Sequence, residues 1–178
     1  MAMAMMHSFT ARLNGPFFYG ITVLGILAAI SGLSVFFIPQ SGNAELSNVQ
    51  VTKLIKNTSS RWDEAKITFD LAIDLSQVWN WNTKLIFVWI EADYANPPES
   101  RNQVIIWDKI IWRNQYNPSQ GVLTLKDNAG KYWMRTKDYD LRGTEVVLKV
   151  RWEVVPIVGI NYKMDGGSVK VVFPSSYS

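Results

Sequence analysis

The chain contains no cysteine and a single histidine, His7. Without cysteine it has no disulfide framework and no thiol nucleophile. Beyond His7 it has no imidazole with which to build a Ser-His-Asp or Cys-His site. The nitrogen and sulfur ligands of an ordinary zinc site are missing for the same reason. No glycine-rich phosphate loop follows a strand-like segment, so no cofactor is expected. Charge of one sign is also scarce: Lys and Arg total 18 against 15 Asp and Glu, a formal net of +3. No basic stripe stands out, which argues against nucleic acid as a partner. There is no internal repeat and no low-complexity tail.

What the chain has instead is one long uncharged run. Phe17 to Ile38 reads FFYGITVLGILAAISGLSVFFI, and about 20 apolar residues are enough for an α-helix to cross a bilayer. The uncharged stretch extends from Leu13 to Ala44, with Arg12 before it and Glu45 after it. A cationic flank on the N-terminal side favours a cytosolic N-terminus and a domain on the far side of the membrane. Asn57-Thr58-Ser59 fits an N-glycosylation acceptor, which calls for a lumenal or extracellular domain. Asn117-Pro118-Ser119 does not qualify, because proline occupies the middle position. The competing reading is a cleaved signal peptide, with Gly42-Asn43-Ala44 as a small-residue cleavage site. The apolar run is longer than the roughly 7–15 residues of a signal core, which favours a retained anchor. Gly25, Ala29 and Gly32 put small residues three and four apart, as in a helix-packing face within the membrane. Ordinary membrane-helix composition gives the same pattern. The expected organisation is a cytosolic segment over 1–16, a transmembrane helix over 17–38, a linker over 39–48 and a lumenal domain over 49–178.

That domain carries the periodicity of strands. Ile67, Phe69, Leu71, Ile73 and Leu75 alternate with Thr68, Asp70, Ala72 and Asp74. Val146, Leu148, Val150, Trp152 and Val154 alternate with Glu145, Val147, Lys149, Arg151 and Glu153. Such segments are half-buried antiparallel strands, apolar inward and polar outward. Lys84–Ile90 reads as more central. Val104–Ile111 alternates imperfectly, with large side chains on both faces. Shorter strands are expected around 50–56, 121–125, 132–136 and 169–173. Turn signals separate them at Asn96-Pro97-Pro98, Asn117-Pro118, Asp127-Asn128-Ala129-Gly130, Arg142-Gly143 and Asp165-Gly166-Gly167. About seven or eight short strands at this spacing predict an antiparallel β-sandwich.

Carboxylate pairs are the one catalytic chemistry that composition leaves open. Glu91 with Asp93, and Asp138 with Asp140, lie two apart at strand ends and loops. Solvated acids at strand faces and edges are the simpler account of them. Tryptophan is the second unusual feature, at eight residues. Trp89 and Trp152 fall in strong strands and read as core. Trp107 and Trp112 flank a strand whose two faces both look apolar, so one face has a contact role, and aromatics are common anchors at interfaces. Val155, Pro156, Ile157, Val158 and Ile160 are apolar where a turn should be polar. Burial against another protein or the membrane explains that better than exposure to water. Trp107, Trp112, Pro156, Ile157 and Val158 are therefore the contact candidates.

Several motifs together resemble subunit 3 of the eukaryotic signal peptidase complex, the 22/23 kDa subunit family. They are Asn102-Gln103-Val104-Ile105-Ile106-Trp107-Asp108-Lys109-Ile110 preceded by Ile90-Glu91-Ala92-Asp93-Tyr94, then Trp152-Glu153-Val154-Val155-Pro156 with Gly159-Ile160. Val169-Lys170-Val171-Val172-Phe173-Pro174 with Tyr177, and Phe69 to Leu75 followed by Trp79-Asn80-Trp81-Asn82, complete the set. The resemblance covers nearly the whole chain, the anchor included. It implies a single-pass endoplasmic reticulum protein with a lumenal β-sandwich. It further implies a non-catalytic accessory subunit, whose partners are a catalytic serine-protease subunit, the other membrane subunits and lipid. Animal members place a glycosylation acceptor before the penultimate long strand, where this chain reads Leu141-Arg142-Gly143-Thr144 without an asparagine. Asn57 lies elsewhere.

Two other function classes compete. A membrane-anchored lumenal glycan-binding module predicts an exposed tryptophan platform. A free-standing hydrolase predicts two convergent acids in a cleft, one with a shifted pKa.

Overall fold

The computed structural model describes residues 9–37, 41–59, 62–96, 99–113, 121–137 and 140–178. The expected turns at Pro97-Pro98 and Asn117-Pro118 lie outside them, as do His7 and Asp138. Helix α1 spans Phe9–Ser34 and continues as a 3-10 turn over Val35–Phe37. Its apolar span runs from Arg12 to Phe37. Leu24, Ile26, Leu27, Ile30 and Leu33 are all more than half exposed. A helix apolar on every side has no polar face to offer water, and its natural solvent is a bilayer.

Eight antiparallel strands follow: β1 (Asn43–Asn57), β2 (Trp62–Asp74), β3 (Thr83–Asn96), β4 (Glu99–Trp112), β5 (Val122–Ala129), β6 (Met134–Lys137), β7 (Glu145–Pro156) and β8 (Tyr162–Val172). One sheet runs β1-β2-β5, with β6 pairing the first part of β2. The other runs β4-β3-β7-β8. This is the expected sandwich. Its core is the inward set of β2 (Ile67, Phe69, Leu71, Ile73) against those of β3 (Ile86, Val88, Ile90) and β7 (Val146, Leu148, Val150, Trp152). Each such side chain contributes about 1.5–3 kcal/mol through burial.

Three local expectations are corrected. β1 begins at Asn43, inside the stretch expected as linker, because Leu46 is buried in the core and Ala44 packs against it. Asp165-Gly166-Gly167 is not a turn but the middle of β8. A Cβ on Gly166 would stand 2.7 Å from Ala44 Cβ and 2.8 Å from Trp152, and one on Gly167 would stand 2.6 Å from the Ala44 carbonyl oxygen. Glycine here lets the β1 and β8 edges close on each other, a known use of glycine within strands. Asp127-Asn128-Ala129 likewise stays within β5, where Asp127 has a φ of +46° beside a bulge.

β4 explains its own imperfect alternation. Ile90 pairs with Trp107 and Glu91 with Ile105, so Ile106 is an extra residue in a bulge. The bulge turns Ile106 and Trp107, consecutive in sequence, both inward.

Candidate functional site

The end of the sandwich nearest α1 is built from the starts of β3 and β8, the ends of β4 and β7, and the turn before β3. That turn holds Trp79-Asn80-Trp81-Asn82 and is cross-braced. Arg113 Nη1 donates to the carbonyls of Asn80, Trp81 and Thr83 at 2.8, 3.0 and 2.7 Å. Asn82, only 1% exposed, reaches across to the β7–β8 connection. Its carbonyl accepts the Ile157 N–H at 2.6 Å, its Oδ1 accepts the Val158 N–H at 3.0 Å, and its Nδ2 donates to the Val158 carbonyl at 2.7 Å. The connection is thereby held at the tip of the hairpin, where Gly159 takes a φ of +120°.

Gly159 meets α1. A Cβ on Gly159 would lie 3.4 Å from Gly32 Cα, and one on Gly32 would lie 3.6 Å from Gly159 Cα. The absence of both side chains lets the two backbones touch. Beside this contact is an apolar cavity of about 520 Å³, walled by Ala28, Ala29, Leu33 and Phe36 of the helix and by Ile160 and Tyr162 of the hairpin.

The outer face of the second sheet divides in two. Toward the α1 end it is apolar, with Ile110 and Trp112 exposed on edge strand β4 and Ile157 exposed beyond β7, while Ile105 is exposed farther along, opposite Glu91. Farther along it is a network of ion pairs. Trp89 stacks on Phe87 with centroids 5.2 Å apart, and its Nε1 donates to Glu91 at 3.3 Å. Glu91, 5% exposed, also takes Arg151 at 3.0 Å and Gln103 at 3.1 Å. Asp93 takes Lys149 and Arg101, each at 2.9 Å. Burial of Asp93 works against its charge, but hydrogen bonds and attraction from Lys149 and Arg101 outweigh it and hold the carboxyl below its usual range.

Asp93 is depressed, and so is Asp140, which the Arg142 side chain and N–H hold low. A general acid needs the opposite shift. Among the described residues no cluster of three His, Cys, Asp or Glu is placed to hold a metal ion.

The sequence candidates separate. Trp107 is 4% exposed and packs edge-on against Phe69, with centroids 6.2 Å apart, so its side chain serves the core. Pro156 is buried and Val158 half-buried. Trp112 and Ile157 are exposed, at 41% and 58%. Ile105 and Ile110 are exposed on the same face, which alternation alone does not reveal, because it cannot place the bulge that fixes which way β4 points. Of the eight tryptophans only Trp81 and Trp112 are exposed, which leaves little of an aromatic platform for a sugar. Asn57 is exposed at the end of β1, its Oδ1 accepting the Ser59 N–H at 3.2 Å. Gly25 has nothing within 4 Å, while Ala29 lines the cavity and Gly32 makes the hairpin contact.

The model of the family described as "Signal peptidase subunit" matches residues 6–176. Human signal peptidase complex subunit 3 is 32% identical, the alignment covering 97% of each chain. The Drosophila melanogaster protein of the same name is 30% identical over 97% of this chain and 98% of its own. A mouse relative, adipocyte-related X-chromosome expressed sequence 1, is 34% identical over 97% of each.

Proposed function

Because the chain belongs to the signal peptidase subunit family, we propose that it is a single-pass subunit of an endoplasmic reticulum signal peptidase complex that cleaves nothing itself. Its N-terminus lies in the cytosol and its sandwich in the lumen. The sandwich supports a separate catalytic serine-protease subunit, and α1 packs among the other membrane subunits and lipid through Gly25 and Ala29. The observation that carries this reading is a family match running through both the anchor and the sandwich. The contact surface for the catalytic subunit is the apolar end of the outer face, with Trp112 and Ile110 as its anchors. Asn57 is the glycan acceptor, at the end of β1 away from the helix.

A gentle detergent pull-down of the tagged full-length chain, with mass spectrometry of the eluate, tests this. The expected result is a catalytic membrane serine protease in near-equal amount, with signal-peptide cleavage in the eluate. Recovery of the folded chain alone would overturn it.

A further inference from the structure

We propose that the tip of the β7–β8 hairpin, Ile157 to Ile160, is a wedge seated in the hydrocarbon of the leaflet nearer the sandwich. The partner is bilayer lipid itself. This goes beyond the assignment to a protease complex and rests only on α1 crossing the membrane.

Depth is the first argument. The tip touches α1 at Gly32, whereas the apolar span continues to Phe37. At about 1.5 Å of rise per residue, roughly 7 Å of apolar helix stands above the contact. A loop that meets the helix there lies beneath the surface of the bilayer that the helix spans.

The side chains suit that depth. From Val154 to Tyr162 no residue carries a charge. Ile157 and Ile160 are 58% and 83% exposed, pointing away from the sandwich. In water two such isoleucines on one tip are a liability, but in an acyl layer they are solvated.

The backbone suits it in part. Irregular chain in hydrocarbon must have its polar groups satisfied from within the protein. Asn82 does this for the N–H of Ile157 and for both the N–H and the carbonyl of Val158, whereas the backbone groups of Gly159 and Ile160 have no protein partner among the described residues. An asparagine buried only to brace a surface loop has little reason to satisfy three groups that water would serve.

Around the tip stands a polar and aromatic collar, as expected at a membrane surface. Trp81 is half exposed and Tyr162 half buried, and Asn161 Nδ2 donates to Glu153 at 3.1 Å. The cavity between α1 and the hairpin opens at this same level, and its apolar walls offer room for an acyl chain.

The chain has no cysteine, so single-cysteine variants can be labelled with an environment-sensitive dye. The full-length chain would carry the dye at Ile160→Cys or Ile157→Cys in phosphatidylcholine vesicles. Gly25→Cys serves as the mid-helix control and Ser59→Cys as the control at the far hairpin. The expected result is that phospholipid with brominated chains removes most emission at 160, 157 and 25, and iodide in water removes it only at 59. Iodide quenching at 160 and 157 with bromolipid quenching kept at 25 overturns the wedge and leaves the anchor standing. No bromolipid quenching at 25 overturns the anchor and the wedge together. In the purified complex, a dye at 160 shielded from both quenchers means that protein covers the tip, which also overturns the proposal.

Discussion

Asn48 and Asp70 are joined across β1 and β2 by a 2.5 Å hydrogen bond from Asn48 Nδ2 to Asp70 Oδ2. The other oxygen of Asp70 accepts the Asp127 N–H of β5 at 2.6 Å. Asn48 and Asp127 are the two described non-glycine residues with positive φ, at 48° and 46°. Each sits at a register shift, in β1 and in β5. One half-buried carboxylate in the middle strand therefore fixes a bulge on either side of it.

Asp70→Ala removes both braces without touching the core. The expected outcome is faster amide exchange at Asp127 and around Asn48, with a modest fall in melting temperature. The Asp127 N–H, and after it Asn48, hold the Asp70 carboxyl below its ordinary value. A carboxyl depressed on folding stabilises above its unfolded pKa and loses that contribution as pH falls through the folded value. The difference between wild type and Asp70→Ala should thus narrow below the usual carboxylate range, as measured by thermal melts across acid pH.

Tyr177 carries the opposite sign. Its hydroxyl donates to the buried Asp63 at 2.9 Å, and Asp63 also accepts the Leu141 N–H at 3.0 Å. Burial, then the Asp63 bond, pushes the phenol up to about 12. The neutral phenol is favoured by folding, so its contribution is complete below the unfolded value of about 10 and is lost as pH rises from there to the folded value. Tyr177→Phe leaves Asp63 one partner short at a cost of about 1–2 kcal/mol at neutral pH. Urea unfolding should show wild type and variant converging in alkali, and parallel curves would count against the bond.

Gly166→Ala tests the closing edge of the sandwich. The added methyl would meet Ala44 Cβ at 2.7 Å, the Trp152 ring at 2.8 Å and the Val150 carbonyl oxygen at 3.2 Å. Overpacking of this kind costs about 1–3 kcal/mol. The same change at Gly143, which has open space but a φ of +66°, tests strain without a clash. Denaturation midpoints should place Gly166→Ala as the more damaging of the two.

What was legible in the sequence was whatever obeys a simple period. β2 and β7 each bury every second residue over most of their length, and the alternation reports that directly. The apolar run of α1 is equally plain. What period cannot report is a change of period. The β4 bulge turned Trp107 inward and left Ile105, Ile110 and Trp112 outward. In sequence it registers only as broken alternation, which looks the same as a second apolar face. Asp165-Gly166-Gly167 has turn chemistry, yet it is held extended by Ala44 and Trp152, residues far away in the chain. Asn82 carries no local sign of its bonds to the β7–β8 connection, because those depend on where β7 ends beside β3.

The proposed partner surface separates from the core at a single strand. Ile110 and Trp112 are exposed at 44% and 41%, whereas Trp107, on the same strand, is at 4%. Replacing exposed apolar residues with acids leaves the sandwich intact but puts an unpaired charge into whatever covers them. A buried tryptophan anchor at an interface is commonly worth 2 kcal/mol or more, about a thirtyfold loss of affinity. Trp112→Asp with Ile110→Asp should therefore keep the melting temperature near wild type. It should release most of the catalytic subunit in the detergent pull-down. Trp107→Ala should lower the melting temperature sharply, by the roughly 3–5 kcal/mol typical of a buried tryptophan, and its effect on recovery should follow the loss of folded protein. If the double acid variant still brings down the catalytic subunit in near-equal amount, the outer face of β4 is not the contact, and another face of the sandwich must carry it.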